Sequence, residues 1–411
     1  MPGPGMDLID NKEKKEVLDV LTDGWIFRYG DFANPAFKAK VWNLEQEFKK
    51  YMDAKYSLAV TSGTVALLTS LSALGIGPGD EVIVPAYTFI ATVSSVVYAR
   101  AIPILTEIND TLNIDPDDIE KKITRRTKAI IPVHMLGNPA EMDKIIKIAR
   151  KHKLLILEDV AQACGASYKG KKLGTIGDIG AFSFNVFKMI TTGDGGMVIT
   201  NDKNLYKRAF AFHDQGHLPL RQGVEVGNRS IIGLDFRMNE LAGALGLGQL
   251  RKLNFILNRL RTNKKRFKDG IKDLKNIKFR RITDESGECA TLLTILIEDD
   301  KTAAQLAKEL KADIVWNSGW HVYNKWEQIL NKKTVTKEGC PFTCSFYGKK
   351  IEYKHNMCPK TDKILKRSIN ISIGVSDKGL SASFGIGIND SNETIDKKIE
   401  IFRKTVKKIL G

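Results

Sequence analysis

Lys188 stands in the run Phe182-Ser183-Phe184-Asn185-Val186-Phe187-Lys188-Met189-Ile190, followed by Gly193-Asp194-Gly195-Gly196. An amine among apolar side chains loses hydration, which disfavours its charged form and lowers its pKa. Such an amine can form a Schiff base with a carbonyl. If that carbonyl belongs to pyridoxal 5'-phosphate (PLP), two partners are needed: an acidic group for the pyridine nitrogen and donors for the phosphate. Asp159, which ends the apolar run Leu154-Leu155-Ile156-Leu157-Glu158-Asp159, is the candidate acid. Its competing role is to cap a following helix. Ser62-Gly63-Thr64 reads as a small-residue turn that exposes N–H groups at a helix start, an anion site and a capping turn at once. Ser183 offers a hydroxyl to a phosphate, and Phe89 offers a face to a planar ring. Taken singly, a serine beside phenylalanines or an aromatic after a strand is more often structural.

Regular elements must bring these residues together. Apolar runs predict strands at 57–60, 81–85, 102–105, 129–133 and 154–159. Helical spacing is expected over 41–52, 65–74 and 142–152, with a turn at Gly77-Pro78-Gly79-Asp80. Alternation of strand and helix implies a largely parallel α/β sheet, whose ligand sites gather at the carboxyl ends of strands. A long helical region is expected from about 239 to 274, with the domain boundary inside it near 258. Residues 1–258 then form a large domain and 259–411 a smaller α+β domain, with strands near 290–296 and 369–373 and helices near 302–310 and 394–410.

The 411 residues exceed one small core, and 43% hydrophobic with 27% charged residues is an ordinary globular balance. No apolar stretch is long enough to span a membrane, and the N-terminus lacks a basic-then-apolar leader, so a cytoplasmic protein without a membrane partner is expected. The net charge of +16 comes from scattered lysines, with clusters such as Lys121-Lys122 and Lys264-Lys265-Arg266 expected on exposed helix faces. No nucleic-acid motif accompanies it, so no nucleic-acid partner is expected. Five cysteines, Cys164, Cys289, Cys340, Cys344 and Cys358, are read as reduced thiols. The last three lie near His355 but lack zinc-type spacing, so no metal site is expected.

Together the segments resemble the DegT/DnrJ/EryC1/StrS family of PLP-dependent sugar aminotransferases, within the fold type I, aspartate-aminotransferase-like superfamily. The resemblance rests on Ser62-Gly63-Thr64, the stretch 75–85, Thr88-Phe89, His134 with Gly137, Glu158-Asp159 with Ala161-Gln162, Tyr168-Lys169-Gly170 and Gly177-Asp178. It continues through Phe182-Ser183-Phe184, Lys188, Gly195-Gly196, and Phe236-Arg237-Met238 with Glu240-Leu241. It implies that Lys188 is the Schiff-base lysine and the proton carrier, and that Asp159 pairs with the pyridine nitrogen. Gly63, Thr64 and Ser183 would hold the phosphate, Phe89 would stack on the ring, and Gln162 would contact the ring-hydroxyl side. It also implies a homodimer with shared sites, and transfer of an amino group from glutamate or glutamine to a keto- or aldehyde-sugar, often nucleotide-linked.

Two positions depart from the pattern. Asp194 replaces a glutamate, and Asp235 replaces an asparagine that would reach the partner's phosphate, so Asp235 needs a nearby cation such as Arg229. Family members that dehydrate sugars carry histidine in place of the lysine, so Lys188 counts against that alternative. Retention of Lys188, Asp159 and Ser183 counts against a non-catalytic regulator. The stretches 24–29 and 320–326 resemble the branch that makes 8-amino-3,8-dideoxy-octulosonate, whose acidic substrate would suit Arg28 and His321. Ordinary packing is the equal alternative for those two residues.

Overall fold

The computed structural model describes residues 3–219 and 229–411. Nine strands precede the midpoint of the chain: β1 Tyr56–Val60, β2 Glu81–Pro85, β3 Ile102–Thr106, β4 Thr127–Ile130, β5 Leu155–Asp159, the short pair β6 Ser167–Tyr168 and β7 Lys171–Lys172, β8 Ile179–Ser183 and β9 Gly196–Thr200. Seven of them form one sheet in the order β1-β9-β8-β5-β4-β2-β3. β8, β5, β4, β2 and β3 are parallel, and β9 lies antiparallel between β8 and β1. β2, β8 and β9 are buried along their whole length, as strands covered by helices on both faces must be. Expected strands and helices through residue 159 appear within a few residues of their predicted ends. β8 and β9, which bracket Lys188, carried no strand expectation.

The expected long helix is two helices, Glu240–Leu250 and Leu253–Asp269. Residue 258 lies inside the second, which links the large sheet to a three-stranded antiparallel sheet of β10 Ile277–Phe279, β11 Leu292–Ile297 and β12 Ser368–Ser372. The C-terminal helix Asn392–Leu410 packs its buried Ile395, Ile399, Phe402 and Val406 on this part. Lys264 does not sit on an exposed helix face: it is buried and pairs with Glu288 at 2.5 Å, because an ammonium out of water needs a counter-charge.

Cys340 and Cys344 are joined by a disulfide, not reduced as expected; their Cα atoms lie 5.3 Å apart, within bridging reach. Cys164, Cys289 and Cys358 are free and buried. Nearby, His355 Nδ1 faces Asn324 Oδ1 at 2.9 Å. The loop that holds the disulfide is braced at the amino-terminal edge of the sheet, away from the strand ends that matter below. Tyr347 donates to Glu81 Oε1 at 2.9 Å, and Tyr353 donates to Pro103 O at 2.8 Å. Among the described residues, no helix is long and apolar enough to cross a membrane.

Candidate active site

A cavity of about 440 Å³ opens at the carboxyl ends of β1, β2, β4, β5 and β8. It gathers Gly63, Thr64, Phe89, Asp159, Gln162, Ser183 and Lys188 from the large sheet, and Trp320, His321, Asp377 and Gly379 from the C-terminal part. Every sequence-predicted site residue except Arg28 is in its lining.

The floor begins at β1. Ser62 caps the helix Gly63–Ala73 by accepting from Val65 N at 3.1 Å, which leaves the earlier N–H groups of the first turn without helical partners. A Cβ on Gly63 would lie 2.5 Å from Ser183 Cβ, so only glycine lets the helix start approach the end of β8. Backbone donors at a helix N-terminus beside a serine hydroxyl form a cradle for a dianion. The geometry fits a phosphate group there.

Asp159 ends β5 and is 3% exposed. Its Oδ1 accepts from Ala161 N at 3.1 Å, and its Oδ2 accepts from Thr92 Oγ1 at 2.8 Å. No helix follows, so the capping alternative reduces to this turn contact. Burial raises the pKa of its carboxyl, opposed by those two hydrogen bonds and then by Lys188. A buried carboxylate without a salt bridge suits a cationic ring nitrogen, which would restore its charge.

Lys188 hangs from the loop between β8 and β9. The loop is closed by Phe184 N on Gly195 O at 2.8 Å and Thr192 N on Phe184 O at 2.9 Å, and pinned by buried Met189 and Ile190. The apolar flank seen in sequence is therefore the anchor that leaves the amine in the cavity. Burial lowers the Lys188 pKa, against the pull of Asp159 and Asp377. Its Nζ lies 6.0 Å from the centroid of the Phe89 ring. Phe89 is 40% exposed, so it is a cavity face, not core. Gln162 accepts at Oε1 from Leu136 N at 2.9 Å, which leaves its Nε2 as the donor. Asp194 accepts from Asn185 Nδ2 at 2.9 Å.

The C-terminal part supplies the opposite wall. His321 Nδ1 lies 3.0 Å from both Ser318 Oγ and Gly379 O, and its ring is 5.4 Å from Phe89. Burial first, then Lys188, pushes its pKa down to about 3. It is therefore a neutral imidazole, not the cation expected for an acidic sugar. Trp320 is 60% exposed at the mouth, 6.4 Å from Phe89.

Arg28 lies elsewhere. It is buried, pairs with Glu45 at 2.7 Å and donates to Ala59 O, so its charge is consumed in packing the helix Lys40–Met52 against β1. Arg237 pairs with Asp235 at 2.5 Å and also with Asp214. Sequence reasoning assigned no role to Thr92, Thr291, Leu292, Val375 or Asp377. Thr92 lies in the first turn of the helix Ile90–Tyr98, and its hydroxyl is 2.7 Å from that of Thr88, which precedes the helix.

The chain is similar to several known proteins. GDP-perosamine synthase of Escherichia coli O157:H7 is 41% identical over 267 residues, covering 65% of this chain and 70% of that protein. GDP-perosamine synthase of Caulobacter vibrioides is 42% identical over 248 residues, covering 60% of this chain and 63% of that protein, just under two thirds of its length. An aminotransferase from Psychrobacter cryohalolentis superposes with a TM-score of 0.79 at 28% identity over all of both chains. Residues 7–376 match the DegT/DnrJ/EryC1/StrS aminotransferase family, and the chain belongs to that family.

Proposed function

We propose that this protein moves an amino group from glutamate or glutamine to a keto- or aldehyde-sugar by a ping-pong sequence that runs through Lys188. One observation carries the reading: the Lys188 amine shares a single cavity with the buried Asp159 and the Gly63–Ser183 cradle. When bound, PLP supplies an electron sink between donor and acceptor. Gly63, Thr64 and Ser183 would hold its phosphate, Asp159 would keep its ring nitrogen protonated, Phe89 would cover the ring, and Gln162 would donate to it. Lys188, with its lowered pKa, takes and returns the proton at Nζ. Phe187, Met189 and Leu380 add apolar surface to the cavity that holds that amine.

The acceptor is proposed to be nucleotide-linked. Residues 259–411 carry 32 basic against 19 acidic residues, so 13 of the 16 net positive charges lie in the part that walls the cavity. That charge favours encounter with an anionic acceptor. The described lining itself holds Asp159, Asp194 and Asp377 against Lys188, with His321 neutral, so a free sugar acid is disfavoured inside. The octulosonate branch is thus the weaker version of this reading. A homodimer with shared sites and a division into 1–258 and 259–411 belong to the same proposal.

Loaded with PLP, the protein should absorb in the visible, and L-glutamate or L-glutamine should bleach that band. Keto-sugars offered to the bleached protein, with the product identified by mass, then identify the acceptor. Binding of PLP without bleaching by either amino acid would reject transamination.

A further inference from the structure

Arg280, which follows β10, is 3% exposed and has no carboxylate within salt-bridge distance among the described residues. Its Nη1 donates to Met135 O and its Nη2 to Leu136 O, both at 3.2 Å, while Nε is buried without a partner. Burial lowers its pKa to about 10, so it stays charged at neutral pH. The nearby Glu288 charge offsets part of that burial cost, but the hydrogen bonds of the guanidinium go to two carbonyls of another segment.

That segment needs holding. Leu136 sits in the left-handed region at φ 56°, ψ 34°, and Gly137 follows at φ 77°. A leucine there is strained, because its Cβ crowds the following carbonyl oxygen. Residues of the C-terminal part bond to all three carbonyls of the turn: Arg280 to Met135 O and Leu136 O, Thr291 Oγ1 to Leu136 O at 3.3 Å, and Cys289 N to Gly137 O at 2.9 Å. The N–H of the strained Leu136 donates to Gln162 Oε1 at 2.9 Å. That bond decides which end of the Gln162 amide is the acceptor, and so which end is left to donate in the cavity. Without it, rotation of the amide by half a turn would present an oxygen where the ring hydroxyl needs a donor.

We infer that Arg280 is a positioning residue: it holds the Met135–Leu136 turn in its strained form, and through the Leu136 N–H it fixes Gln162 with its nitrogen toward the cofactor. The inference rests on the PLP reading above. It makes the C-terminal part a determinant of cofactor affinity, although its own side chains need not touch the ring.

The test is a double-mutant cycle on PLP affinity, read by fluorescence quenching as PLP is added to the apo protein. Gln162→Ala should raise the PLP Kd about tenfold, and Arg280→Lys, which keeps the charge but has one nitrogen for two carbonyls, about fivefold. If Arg280 acts through Gln162, the double variant should be no weaker than Gln162→Ala alone. The pH midpoint of the bound cofactor's visible band should also move the same way in both single variants, a readout that loosened packing alone does not shift. Should Arg280→Lys fail to fold, Thr291→Val removes the other side-chain donor to Leu136 O and should give a smaller loss, again absent in the Gln162→Ala background. Multiplying effects, or a Kd unchanged by Arg280→Lys while Gln162→Ala raises it, would overturn the inference and leave the PLP reading standing. No PLP uptake by the wild type would sink both.

Discussion

The floor and the wall of the cavity come from different parts of the chain and are built differently. The floor is built on the strand ends of a buried, mostly parallel sheet, with Asp159 and Ser183 at strand ends, Gly63 at a helix start packed on Ser183, and Lys188 on a loop closed by backbone hydrogen bonds. The wall is a set of loops around a small antiparallel sheet, presenting Trp320, His321, Asp377 and Gly379. Side chains on strand ends are held by the rigid sheet, whereas loop residues are freer to vary. The floor is thereby suited to a reaction that never changes, and the wall to the choice of sugar.

Substitutions should separate the two regions. The largest effect is expected at the floor, where Lys188→Ala should lower kcat at least about 10³-fold while PLP uptake persists. Turnover near the wild-type rate would remove Lys188 from its role. Gly63→Ala places a Cβ 2.5 Å from Ser183 Cβ and should raise the PLP Kd by about 10- to 100-fold. An unchanged Kd would mean that the cradle is not the phosphate site. At the wall, Trp320→Ala should raise the sugar KM about tenfold and leave kcat and the PLP Kd within about threefold. Equal losses in kcat and PLP affinity would erase the distinction between floor and wall.

The smallest effect concerns pH. Burial holds the pKa of His321 and of His213 at about 3 in the folded chain, against an ordinary 6.5. Between those values the unfolded chain binds protons that the folded chain refuses, so stability rises with pH there. Stability is full above about 6.5 and declines as pH falls. The Tm should be lower at pH 5 than at pH 7, and His321→Asn should flatten part of the slope. A slope unchanged by that substitution would place the proton elsewhere.

The floor was legible in the sequence because its elements are local. A strand, a small-residue turn and a helix occupy consecutive residues around Ser62, and Asp159 ends its own apolar run. The wall was less legible because its contacts join distant segments. His321 lines the cavity, yet burial against Phe89 and Gly379 removes the charge that an acidic sugar would need. Arg28 lies outside the cavity, in the packing that was its equal alternative, where Glu45, 17 positions away, takes up its charge. Arg280 sent no signal at all, since its partners Met135 and Leu136 lie about 145 positions away. The Cys340–Cys344 bridge was missed for another reason: an odd cysteine count says nothing about which two cysteines a loop brings together.

The central claim is that Lys188 and the floor carry an amino group from an amino acid onto the cofactor. Its most direct test mixes the PLP-loaded protein with L-glutamate in the absence of any sugar and measures 2-oxoglutarate. One equivalent per chain, with none from Lys188→Ala, is the result expected if glutamate is the donor; with L-glutamine the corresponding keto acid should appear instead. A protein that binds PLP yet releases no keto acid from either amino acid would contradict the claim.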